Sequence, residues 1–236
     1  MSCFVLGCLG VSPSEADEDY SGTYILLQQS TVAINLLVTE VVNHSRVVSL
    51  HQVRHRTKRL KGDGRTCLMT LDSDSKVLQT TIKESFKKAM PTVHLDARLR
   101  KRRGRIELHQ GKETILLGAK LRWPNWGSLP SKKDDERVID HDQDGNPGVT
   151  AYVKGIVSGK LFFTQRIKSW FDGYRRGDGF FGQIGFVSEI KVLGASNIAL
   201  KTSVATDPVP EKSYFRLQRV PATTTCQQAI ELAKNW

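Results

Sequence analysis

Cysteine is scarce, and its four positions, Cys3, Cys8, Cys67 and Cys226, include no C-x-x-C pair and no Cys and His cluster at metal-ligand spacing. A structural zinc site is therefore not expected. The six histidines, His44, His51, His55, His94, His109 and His141, are scattered, with no H-E-x-x-H. G-x-S-x-G, a P-loop and G-x-G-x-x-G are missing as well, which removes the local signatures of several enzyme classes. Only a catalytic site assembled from distant residues would remain, so the expectation is a protein that is not an enzyme. No apolar run past the N-terminus approaches the roughly 18 residues of a membrane span. Internal repeats and low-complexity tracts are also missing.

What is present is ordinary globular composition with an excess of positive charge. Apolar residues at 39% and charged residues at 25% fit a folded chain better than a disordered or fibrous one. At 236 residues a single barrel or sandwich is within range. The formal charge of +11 is unevenly placed. Arg46 to Arg122 holds 20 Lys or Arg against seven Asp or Glu, whereas Glu15 to Asp19 holds four acids and Asp134 to Asp144 holds six against Arg137. The basic excess belongs to the N-terminal half, and the acidic loop is a separate feature.

Met1 to Val11 is apolar, Ser12-Pro13-Ser14 follows, and acidic residues come next, the order of an export signal and a flexible tether. Val5-Leu6-Gly7-Cys8 has the form of a bacterial lipobox, which makes Cys8 the candidate lipidation site. A full signal has a basic start and about 7 to 15 apolar residues, of which only about half precede Cys8 here, with no Lys or Arg. A start codon placed too late reconciles these observations; a chance apolar N-terminus is the alternative. Residues 1–21 then read as truncated signal and tether, and 22–236 as a single domain. In an oxidising compartment Cys67 and Cys226 are the natural pair, since Cys3 and Cys8 lie in the segment subject to processing; two buried free thiols are the other reading.

Period-two alternation dominates the rest. Leu95, Ala97 and Leu99 alternate with Asp96, Arg98 and Arg100, and after Arg103-Gly104 so do Ile106 and Leu108 with Glu107 and His109. Gly111-Lys112 reads as a second turn into a third meander strand, Ile115 to Leu121. Ser158-Gly159 and Gly177-Asp178-Gly179 read as reversals between later strands, and Gly62-Asp63-Gly64 as a turn between Arg46 to Thr57 and Arg65 to Leu71. Asn197 to Ser203 and Ser213 to Val220 complete the set. The fold expected is all-β: an antiparallel meander barrel or half-barrel, lipocalin-like, of about ten strands. A short internal helix is marked by Ile82, Phe86, Ala89 and Met90 before Pro91, and a C-terminal helix by a capping box, Thr225 with Gln228.

Asp140-His141-Asp142-Gln143-Asp144-Gly145 places three carboxylates at alternating positions before a glycine, as the first half of an EF-hand loop does around Ca²⁺. The candidate ligands are Asp140, Asp142, Asp144 and the carbonyl of Asn146. The twelfth position is Ala151, so the bidentate glutamate is missing and a structural calcium stands against a plain acidic turn. Asp140 to Thr150 resembles a D-x-D-x-D-G-x-P-G-V-T stretch found in a group of uncharacterised bacterial envelope proteins and lipoproteins. The similarity continues through Gly159, Gln165-Arg166, Gly182 to Gly185, Leu193-Gly194-Ala195, Ser213 to Arg216, Arg219-Val220 and Cys226, with Gly22-Thr23-Tyr24 and Cys67 before it. The resemblance implies an exported β-rich protein with a Cys67 to Cys226 bridge, on the periplasmic side or secreted, and implies no activity.

Two basic clusters sit at expected hairpin tips: Arg54, Arg56, Lys58, Arg59 and Lys61, and Arg98, Arg100, Lys101, Arg102 and Arg103. Neither has interleaved aromatics for stacking bases, so nucleic acid is not the expected partner; an anionic membrane surface needs only positive charge. Trp123, Trp126, Trp170 and Phe181 form an aromatic set that would suit an apolar ligand at a barrel mouth, with ordinary edge packing as the alternative. Two functions follow. One is a lipocalin-like envelope lipoprotein binding a lipid or small apolar molecule; the other is an interaction module whose basic hairpins dock on anionic lipid or a partner protein.

Overall fold

The computed structural model describes residues 18–36, 39–75, 78–201 and 206–236, and the lipobox with Cys8 lies outside them. Eleven strands run in the order β1 (Gly22–Leu36), β2 (Thr39–Arg56), β3 (Arg59–Ser73), β4 (Leu78–Ile82), β5 (Val93–Arg102), β6 (Arg105–Leu117), β7 (Val149–Gly155), β8 (Gly159–Arg176), β9 (Gly179–Ala195), β10 (Thr206–Pro208) and β11 (Tyr214–Val220). Helix α1 (Glu84–Ala89) precedes β5, and α2 (Cys226–Lys234) ends the chain. Eight strands close on themselves in the order β8-β6-β5-β3-β2-β1-β11-β9, with β9 returning to β8. All of these pairings are antiparallel. The expected lipocalin-like β barrel forms, and β4, β7 and β10 lie alongside it as additions. Closure leaves the long strands without free edges.

Alternation along each strand divides core from surface. Tyr24, Leu26, Phe171, Phe180, Phe215 and Leu217 point inward and pack together, all 3% exposed or less. Phe171 and Phe215 stack with centroids 4.9 Å apart. The room for this comes from a cross-strand glycine pair, Gly173 opposite Gly182: a Cβ on Gly173 would stand 2.7 Å from the Phe215 ring. Tyr20, expected in the tether, belongs to this core; it packs on Phe180 and its carbonyl accepts from the Tyr24 hydroxyl at 2.8 Å. Toward the other end, Phe86 of α1 packs with Leu117 and Val149. On the outside, the expected capping box of α2 is present, and Ala229 and Ala233 cover Ile25, Leu27 and Val48.

Two expected turns and one expected strand are built otherwise. Gly62-Asp63-Gly64 lies within β3, and the reversal is at Thr57-Lys58. The two glycines are there for close approach: a Cβ on Gly64 would meet the His51 ring at 2.4 Å, and one on Gly62 the Gln52 carbonyl oxygen at 2.3 Å. Gly111-Lys112 is a bulge within β6, which continues to Leu117 and pairs with β8 in place of a third meander strand. Asn197 caps a single 3-10 turn at Ile198–Leu200, its side chain accepting from the Ala199 amide, so no strand starts there; residues 202–205 lie outside the described residues. The reversals at Arg103-Gly104, Ser158-Gly159 and Gly177-Asp178 are as expected.

Candidate functional site

The two basic clusters become one surface. β3 pairs with β5 in a register that sets Arg59 beside Arg98 and Leu60 beside Ala97. Because Leu60, Ala97 and Leu99 face the core, the residues alternating with them face out together. They line an open groove of about 1200 Å³ whose walls include Arg54, Arg56, Lys58, Lys61, Arg98 and Arg100. The acids in the groove are already engaged: Asp96 holds Arg59 at 2.6 Å and Lys61 at 3.4 Å, and Asp63 accepts from His94 Nδ1 at 2.6 Å. Arg54, Arg56, Arg98 and Arg100 are exposed and have no carboxylate partner among the described residues. Lys101, Arg102 and Arg103 sit at the end of β5 and its turn, beyond the groove wall. Arg98, the first residue of the second expected cluster, is placed in the groove by its alternation with Leu99.

The acidic loop lies in the excursion between β6 and β7. Two isolated bridges anchor the excursion, Ala119 with Val138 and Asp140 with Gly148. Gly148 is required twice over, by its φ of +82° and by the Phe163 carbonyl oxygen, 2.4 Å from where a Cβ would stand. Asp140, Asp142 and Asp144 each bring a carboxylate oxygen within 4.8 Å of the others. Asp140 is exposed and accepts from the Asp144 amide at 3.1 Å and the Gly145 amide at 2.8 Å. Asp142 is fully buried; its Oδ2 accepts from the Thr150 amide at 3.2 Å. Burial, with Asp144 and Asp140 close by, pushes its carboxyl above the usual range. Burial also acts on Asp144, but donors from Asn146 and Tyr152 hold its carboxyl below that range. His141 turns the other way, against Phe86 of α1.

The disulfide joins Cys67, in the bulge of β3, to Cys226 at the start of α2, with Cα atoms 5.1 Å apart. The aromatic set is not brought to one place. Trp123 and Trp126 stack on each other in the excursion, 51% and 72% exposed. Trp170 lies outside the barrel over Gly185, and Phe181, also outward, packs beside Tyr214. A buried polar group was also missed in sequence: His51 points into the barrel, its Nε2 2.8 Å from the Ser49 hydroxyl, and burial pushes its pKa down to about 4. Comparison with protein-family models, with curated proteins and with solved structures finds no match.

Proposed function

We propose that this protein is a non-enzymatic envelope module that docks on anionic phospholipid headgroups through the groove between β2, β3 and β5. The observation that carries this reading is the union of two sequence-distant basic clusters in one groove whose own acids are already paired. Headgroup phosphates would complement Arg54, Arg56, Arg98 and Arg100, at about 1 kcal/mol per basic residue near an anionic surface. The groove wall carries no Trp, Tyr or Phe on which bases would stack, which favours headgroups over single-stranded nucleic acid. The Cys67 to Cys226 disulfide supports an oxidising compartment, in keeping with a periplasmic or secreted protein and a lipid anchor at Cys8. The lipocalin-like alternative, an apolar ligand inside the barrel, is less favoured because Tyr24, Phe171, Phe180 and Phe215 occupy that space.

Co-sedimentation tests the reading with vesicles of phosphatidylglycerol and phosphatidylcholine against phosphatidylcholine alone. The protein should pellet only with the anionic vesicles and be released by salt. Replacing Arg54, Arg56, Arg98 and Arg100 by Gln removes about 4 kcal/mol, a loss of about three orders of magnitude in binding. Equal binding to neutral vesicles, or an unaffected quadruple variant, would overturn the proposal. Tighter binding to duplex DNA than to anionic vesicles would assign the groove to nucleic acid.

A further inference from the structure

We infer that the Asp140 to Thr150 segment is a calcium site that clips the β6–β7 excursion to the barrel, with the buried carboxylate of Asp142 as its inner ligand. The three clustered carboxylates do not carry this by themselves, since exposed acids often gather without a metal. Two buried polar atoms do, one oxygen of Asp142 itself and the neighbouring Thr150 hydroxyl. Oδ1 of Asp142 is sealed from solvent and has no hydrogen-bond partner, although its sister oxygen is satisfied by the Thr150 amide. The Thr150 hydroxyl is also fully buried and makes no well-formed hydrogen bond, while lying toward Asp144. A buried carboxylate oxygen with no donor is among the costliest groups a fold can hold, and buried charges are normally paired or bound to a metal. Lys83, whose charge reaches Asp142 and Asp144, is exposed, sits 5.0 Å from the Tyr152 ring centroid and forms no ion pair with either acid among the described residues.

The donor set selects the cation. All candidate ligands are oxygens, which excludes soft metals. The three carboxylate oxygens lie within 4.8 Å of one another, no farther than two ligands on opposite sides of Ca²⁺, about 4.6 to 5.2 Å apart. Mg²⁺ keeps several waters in a strict octahedron, and the buried side of this site, at Asp142 and Thr150, is closed to solvent. Ca²⁺ sheds its water readily and accepts irregular geometry, so Asp140, Asp142, Asp144 and the Asn146 carbonyl can be completed by water on the exposed side. Asp142 is tied to the first residues of β7 and His141 to α1, so the ion would fix the excursion to both.

Calorimetry of the chelator-stripped full chain with CaCl₂ should give one ion per chain, with an affinity on the order of 10⁻⁴ to 10⁻³ M or tighter. Melting in Ca²⁺ should occur at a higher temperature than in chelator. Asp140→Asn, an exposed change that leaves the core untouched, should weaken binding at least about tenfold. Asp142→Asn should abolish binding and also melt above the wild type in chelator, because it removes the orphaned charge, yet below it in Ca²⁺. A wild type that shows neither heat nor a melting shift with Ca²⁺ overturns the site. Binding retained in Asp142→Asn overturns the ligand assignment, and equal affinity for Mg²⁺ overturns the choice of cation.

Discussion

Cutting the Cys67 to Cys226 bridge should cost a large share of this chain's stability. The bridge spans 159 positions, so in the unfolded ensemble it closes a loop of just over two thirds of the molecule. Loop-closure entropy for that length is about 17 cal/mol/K, or about 5 kcal/mol at 25 °C. The native side adds little to this figure, because α2 is also held by Ala229 and Ala233 against Ile25, Leu27 and Val48, by Arg46 donating to the Ala233 carbonyl, and by Arg216 over the Trp236 ring at 4.4 Å. The helix should therefore stay docked without the bridge, and the loss should come from the unfolded state. The assay is urea and thermal unfolding of the Cys67→Ser/Cys226→Ser double variant beside the oxidised wild type. At about 2 to 4 °C per kcal/mol for a chain of this size, the melting temperature should fall by about 10 to 20 °C. Near-native spectra at low temperature should accompany that fall. A loss below about 1 kcal/mol would refute the chain-entropy reasoning, and a detached α2 in the folded variant would refute the claim that packing alone holds it.

Other outcomes follow from single positions. His51 is neutral in the fold, with a pKa near 4 against about 6.5 unfolded, so the stability it supports is complete above pH 6.5 and is lost as pH falls toward 4. The size is about 3 kcal/mol, and His51→Asn should flatten that part of a pH-stability curve measured by urea unfolding; an unchanged slope would place the titration elsewhere. Gly182→Ala would drive a Cβ to 2.1 Å from the Asp172 carbonyl oxygen and should cost about 3 kcal/mol, read as a lower urea midpoint. Thr57 holds φ at +56° in the two-residue turn before β3, a conformation that suits Asn far better than a β-branched residue. Thr57→Asn should raise stability by about 1 kcal/mol and leave vesicle binding as it was.

The sequence carried the alternation and the chain-local devices further than the pairings. Leu95, Ala97 and Leu99 against Asp96, Arg98 and Arg100 is period two in the sequence and core against groove in the structure. Thr225 and Gln228 make the capping box that their spacing announced. Glycine misled because it has two uses that look alike in one dimension. At Gly177 it makes a turn through positive φ, whereas at Gly62 and Gly64 it clears space for a neighbouring strand, and only that neighbour tells them apart. The β9–β11 and β6–β8 pairings join residues far apart in the chain, so barrel closure followed from strand count and not from any local signal. The groove was illegible for the same reason: Arg54 and Arg98 become neighbours through β2–β3–β5 pairing, which no spacing encodes.

Chain direction gives the two charged features a relation that composition alone conceals. β2 ends and β3 begins at Thr57-Lys58, β5 and β6 turn at Arg103-Gly104, and β8 and β9 turn at Gly177-Asp178, so these three reversals share one end of the barrel. β6 then runs away from that end to Leu117, and the excursion with Asp140, Asp142 and Asp144 leaves from the opposite end, beside α1. The excursion is nearly neutral, with Lys120, Arg122, Lys132, Lys133 and Arg137 against six acids, so the end that carries the groove is the basic one. Near an anionic surface such a molecule would feel a torque as well as an attraction, because the groove end would be drawn in while the nearly neutral excursion would not. The orientation follows from the strand order, and it should weaken with ionic strength on the scale of the Debye length, about 8 Å at physiological salt. A calcium ion at Asp142 would lie at the end away from the groove, so Ca²⁺ should leave the groove's own affinity for headgroups unchanged; co-sedimentation with anionic vesicles at constant ionic strength, with Ca²⁺ and with chelator, checks this, and a clear difference between the two would refute it.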